Sequence, residues 1–146
     1  MLKIRPEQLE VFQRIAEDAF VEDVIDYLVT KHADCVVQLP NKISTIREIP
    51  QPTLCKIVRN GIARAKTYHL NWQSNLITFV VLMFVAAPNF DEQPLIKQVL
   101  TSEKAEPDSR IDQLLEITTE ENWEEARQNY DVSAWFLGDP PGITNE

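Results

Sequence analysis

Glycine is scarce in this chain, with Gly61, Gly138 and Gly142 the three found in 146 residues. So few cannot furnish a phosphate-cradling loop or a series of tight β-hairpin turns, and their scarcity points to helices. Soft metal ligands are equally few: Cys35, Cys55, His32 and His69 are the whole stock. His32-x2-Cys35 has chelating spacing, but thirteen residues separate Cys55 from His69 and fit no common zinc template, so neither a metal nor a cofactor is expected. A Cys/His nucleophilic pair would lack oxyanion-hole glycines, and the two cysteines read as reduced core thiols. A run of about 20 apolar residues, which a bilayer span requires, is also missing. The start, Met1-Leu2-Lys3-Ile4-Arg5-Pro6, turns at once into a charged amphipathic pattern without the apolar core of a signal peptide. The expectation is a cytoplasmic protein that does not enter a membrane.

Basic charge is missing from the second half. Residues 1–69 hold ten Lys/Arg and nine Asp/Glu, net +1, whereas residues 70–146 hold four and fourteen, net −10, which together give the −9 of the whole chain. A phosphate backbone needs a basic face, so nucleic acid is disfavoured and a protein partner with a basic surface suits the acidic half better.

The chain does contain a dense apolar core. Hydrophobic residues make up 44% of it, enough for one domain of this length. In residues 76–87 only Thr78 is polar, and Pro88-Asn89-Phe90-Asp91 closes the run. Too long for an ordinary strand and too short for a bilayer, it reads as a buried helix. A first helix begins at Pro6 and runs toward Lys31, with Leu9, Phe12, Ala16, Ala19, Phe20, Val24 and Leu28 forming one apolar stripe. Residues 35–39 read as an extended connector or lone strand, with no second strand pattern nearby to make a sheet.

A second helix over residues 53–69 places Leu54, Ile57, Val58, Gly61, Ile62, Ala65 and Tyr68 on one side and Lys56, Arg59 and Lys66 on the other. That basic strip is expected to meet solvent or the protein's own acidic residues. Gly61 in the middle of an apolar helix face costs ~1 kcal/mol relative to Ala, so it is expected to admit another helix closely. The partner is the apolar helix, over residues 72–87, with Asn71 as N-cap and Pro88 as its stop. Pro94 opens a short helix, residues 101–107 form a loop, and a further helix turns Ile111, Leu114 and Leu115 inward. Thr118-Thr119-Glu120-Glu121 is a capping-box pattern for a last helix carrying Trp123, Ala126 and Tyr130. A final anchor at residues 134–137 precedes a mobile tail at residues 138–146. The fold class expected is all-α: a single-domain orthogonal bundle of about five to seven helices, residues 1–137, around the apolar helix.

Among the many carboxylates, Asp91 and Asp112 lie beside Phe90 and Ile111 and read as structural, with Arg64 a natural partner for one of them. Glu120, Glu121, Glu124 and Glu125 suit a helix N-terminus and a solvated face. Trp123, Tyr130, Trp135 and Phe136 read first as core, yet aromatics near an acidic surface also make binding hot spots.

Gly61-Ile62-Ala63-Arg64-Ala65-x-x-Tyr68, Phe79-Val80-x-Leu82-Met83-Phe84, Asn89-Phe90-Asp91 and Arg110-Ile111-Asp112-x-Leu114-Leu115 together resemble a group of short bacterial proteins often encoded near type VI secretion spike and PAAR-type effector genes. The resemblance covers residues 54–117 and brings no catalytic residues. It implies an accessory role beside secreted effectors. The expected function is therefore a non-enzymatic adaptor or loading chaperone for an effector or spike component, contacting it through Trp123, Glu124, Tyr130 and Trp135. The alternatives are an immunity protein that covers a toxin's basic active site, and a small hydrolase using Asp91 or Asp112.

Overall fold

The computed structural model describes residues 6–136, with side chains from Ile15 onward, so the tail expected at residues 138–146 lies outside the described residues. These residues form six α-helices and one small sheet: α1 (Pro6–Lys31), β1 (Val36–Leu39), β2 (Lys42–Thr45), α2 (Gln51–Thr67), α3 (Gln73–Val85), α4 (Pro94–Leu100), α5 (Arg110–Ile117) and α6 (Glu120–Gln128). Short 3₁₀ segments at Ile46–Glu48, Phe90–Glu92, Pro107–Ser109 and Val132–Phe136 complete the order. The all-α expectation holds, with the two strands as the departure from it.

The stripe on α1 buries Phe20, Val21, Val24, Ile25 and Leu28, but Ala16 and Ala19, read as inward, are exposed. Glu17 and Asp18 there meet Arg59, and Glu17 meets Lys66, so part of the basic strip of α2 is engaged within the molecule. Against its other side α2 packs α3. At Gly61 an added Cβ would stand 2.8 Å from Met83 Sδ and 3.0 Å from Val80 Cγ2, which is why glycine sits mid-helix here. Phe79, Val80 and Met83 of α3 have no exposed surface, so the apolar run is the buried helix the sequence indicates, although Val85 at its end is 46% exposed.

Helix α2 ends in a Schellman motif. Leu70 N–H donates to the Ala65 carbonyl at 3.3 Å and His69 N–H to that of Lys66 at 2.9 Å, with His69 at φ 66° in the position glycine usually takes. The N-cap expectation at Asn71 is corrected: Trp72 is the N-cap residue and makes no side-chain cap. The Asn71 and Trp72 amides donate instead to Asp108 Oδ1 at 3.0 and 3.1 Å, a partner far along the chain that local pattern cannot reveal.

The expectation of no sheet is also corrected. Strands β1 and β2 pair antiparallel, Val37 with Ser44 and Leu39 with Lys42, around the two-residue loop Pro40-Asn41. The pattern was hidden because β2 is inverted, with Ser44 buried and Ile43 67% exposed. The outer edge of β1 is closed by the last described turn. Gln38 N–H donates to Tyr130 Oη at 3.1 Å, and its carbonyl accepts from Tyr130 Oη at 3.2 Å and from Trp135 Nε1 at 2.7 Å. Asn60 of α2 reaches the same turn, its Nδ2 donating to the carbonyls of Ala134 and Trp135 at 2.9 and 2.8 Å.

In the second half, α5 buries Ile111 and Leu114, but Leu115, expected inward, is 52% exposed. Arg110 is buried and its Nη1 donates to Tyr68 O and Leu100 O, at 3.0 and 2.9 Å. A positive charge is thereby placed at the C-terminal ends of α2 and α4, where the helix dipoles favour it. The box opening α6 is built by Thr119 and Asn122 rather than by the glutamates, with Thr119 N–H donating to Asn122 Oδ1 at 2.8 Å.

Candidate functional site

Pro88 stops α3, and the chain turns sharply through Phe90–Glu92 before Pro94 opens α4. Arg64 holds this corner: its Nη2 pairs with Asp91 Oδ1, and its Nη1 donates to the Pro88 carbonyl at 2.6 Å. Tyr68 Oη donates to Asp91 Oδ2 at 2.7 Å, so both carboxylate oxygens are engaged. Burial, then the negative charge of Asp91, push the Tyr68 phenol well above its ordinary value. Phe90 is fully buried, 4.9 Å from the Phe79 ring and 6.0 Å from that of Trp123. Arg64, Pro88, Phe90 and Asp91 thus meet at this corner, whereas Asp112 lies apart from it, exposed in the first turn of α5.

Outside this corner, a cavity of about 470 Å³ opens between the turn, the start of α4, and α6 with the segment after it. Two buried amides brace it. Asn89 Nδ2 donates to the Asn129 carbonyl at 2.9 Å, while its Oδ1 accepts from Asp131 N–H at 3.0 Å. Gln93 Oε1 caps Ile96 N–H at 2.9 Å, and its Nε2 donates to Glu125 Oε1 at 2.6 Å. Pro94 and Ala126 contribute apolar surface, and Glu92, Glu125 and Asp131 line the rest. No Lys or Arg is among the lining residues. The Ser133 hydroxyl and then its amide donate to Asp131 and hold its carboxyl below the ordinary range. Such a space, with short apolar walls and three carboxylates, accommodates the alkyl stem and charged head of a lysine or arginine.

One member of the aromatic interface read from the sequence is corrected. Trp135 is wholly buried, its ring 4.9 Å from Phe84 and its N–H on the Gln38 carbonyl, so it is core. Tyr130 is half-buried with its hydroxyl engaged by β1, and Trp123 is half-buried on Phe90 with Nε1 donating to Thr118 Oγ1 at 3.1 Å. Glu124 is exposed, but Arg127 pairs with it and with Glu120. Of the acidic run on α6, Glu125 is the residue turned to the cavity. Glu92, Gln93 and Asp131 were missed because only the fold brings them beside it.

The candidate hydrolase aspartates do not converge on this space, since Asp91 is held by Arg64 and Tyr68 and neither Asp91 nor Asp112 lines the cavity. Cys35 and Cys55 are free thiols, and burial pushes the Cys35 thiol above its ordinary pKa. Among the described residues, no helix is long and apolar enough to cross a membrane. No family model, curated protein or solved structure matches the chain.

Proposed function

We propose that this protein is a non-enzymatic interaction module that receives a basic segment of a protein partner at the cavity between the Phe90–Glu92 turn and α6. The observation that carries this reading is the lining itself: three carboxylates, Glu92, Glu125 and Asp131, with no lining cation, in a space braced by the buried amides of Asn89 and Gln93. A lysine or arginine entering it would gain charge-assisted bonds at a site whose geometry is already fixed, so little ordering cost opposes binding.

The family resemblance suggests what the partner is, a secreted effector or spike component carried by an adaptor. The test is co-purification with type VI secretion effectors and spike components, using the native chain and the paired Glu92→Gln, Glu125→Gln variant. The expected result is capture by the native chain and a loss of at least tenfold in affinity for the variant. Absence of any secretion component from the native sample, or equal capture by the variant, would sink the reading. Co-expression separates the adaptor from an immunity protein, since only the latter rescues cells from the effector's toxicity.

A further inference from the structure

The connector between α2 and α3 has two unusual residues within four positions. His69 occupies the left-handed region at φ 66°, where a side chain is disfavoured, and Trp72 leaves 64% of its surface in water. The connector is nonetheless firmly held. Leu70 is fully buried on one side, and on the other Asp108 Oδ1 takes the Asn71 and Trp72 amides while Asn75 Nδ2 donates to the Asp108 carbonyl at 2.8 Å. The indole is therefore displayed from a fixed backbone rather than carried on a loose loop. A large aromatic with few rotatable bonds on such a mount loses little entropy on docking, which is the usual make-up of an interface hot spot.

Charge selects the occupant. The Asn71, Trp72 and Asn75 donors to the Asp108 carboxylate all reach Oδ1, which leaves Oδ2 without a hydrogen-bond or ion-pair partner among the described residues. Donation from the Asn71 amide first, then those of Trp72 and Asn75, holds this carboxyl below its ordinary range, so it is ionised at neutral pH. Glu103 and Glu106 lie in the segment leading to it, against Lys104 alone. The start of α3 contributes roughly half a positive charge nearby, less than the full negative charge of Asp108. We propose that Trp72 and Asp108 form a docking point for an arginine side chain of a protein partner, the guanidinium stacked on the indole face and paired with Asp108 Oδ2. Arginine fits better than lysine because its planar, weakly hydrated head can stack on the ring and present N–H groups along its edge at the same time. The point stands apart from the acidic cavity in its residues and does not depend on that reading.

The test uses the full chain labelled with ¹⁵N and titrated with a hexa-arginine peptide, with hexa-lysine as comparison. The Trp72 indole N–H signal is assigned by its disappearance in Trp72→Phe. The expected result is a saturable shift of that signal by hexa-arginine, weaker with hexa-lysine. Affinity should fall about fivefold to tenfold in Trp72→Ala and in Asp108→Asn, the latter keeping an oxygen to accept the two backbone amides. Trp72→Phe, which retains a ring face, should lose less than Trp72→Ala. The proposal is overturned if the Trp72 signal stays in place, or if hexa-arginine binds Trp72→Ala or Asp108→Asn, each with a native-like spectrum, as tightly as the native chain. The Glu92→Gln, Glu125→Gln variant should keep the Trp72 shift, and losing it there would likewise overturn the proposal.

Discussion

Asp91 is 6% exposed at its side chain and Arg64 13%, and a charge so enclosed is stable only while its partner remains. Replacing the pair with apolar groups could be neutral, but removing one member leaves the other charged and desolvated. Asp91→Ala should therefore cost about 3 kcal/mol or more, read as a lower urea midpoint at unchanged slope. Tyr68, the third member, sets an alkaline limit. Its phenol ionises at higher pH in the folded than in the unfolded chain, as do Tyr130 and Cys35 through burial. Their contribution is intact below the unfolded values, 9.0 for the thiol and 10.0 for the phenols, and is lost as pH rises through the folded ones. Urea midpoints should hold from pH 7 to about 8.5 and then decline, less steeply for Tyr68→Phe than for the native chain. At Gly61 an added methyl would improve helix propensity by ~1 kcal/mol but press on Met83 Sδ at 2.8 Å. Overpacking of this kind costs ~1–3 kcal/mol, so Gly61→Ala should be destabilising on balance by about 1 kcal/mol in the same assay.

Each secondary-structure element is secured at a different distance along the chain, and that distance governs how visible it was in the sequence. The bounds of α1 and the stop of α3 could be read because Pro6, Lys31 and Pro88 act on their own neighbours. The packing of α2 on α3 was legible at Gly61, since a glycine on an apolar helix face signals close approach, and the Arg64–Asp91 pair was legible from two charges flanked by core residues. The start of α3 was not, because its amides are satisfied by Asp108. The hairpin was not, because β2 buries Ser44 and exposes Ile43, and because its stability comes from Tyr130 and Trp135. The same dependence hid the cavity and misassigned Trp135 to a surface. It also predicts an exchange result: in Tyr130→Phe the Gln38 amide loses its acceptor at 3.1 Å and should exchange with solvent about ten times faster or more, while the interior amides of α3 keep their protection.

For the molecule as a whole, the cations of the first half are partly engaged with its own anions, as Arg59 and Lys66 are with Glu17 and Asp18. The acidic second half is left to dominate the outer field. A basic partner should therefore associate with a rate that falls roughly tenfold between 50 and 500 mM salt, with a much smaller change in dissociation rate, measurable by surface plasmon resonance. The turn Val132–Phe136 closes β1 through Trp135 and anchors α2 through Asn60, joining residues 97 and 74–75 positions apart. During synthesis the hairpin and α2 thus emerge long before the turn that completes them. Until residue 136 is made, the Gln38 edge is open and Phe84 lacks the Trp135 ring that packs on it, so the nascent chain exposes a strand edge and apolar surface for most of its elongation.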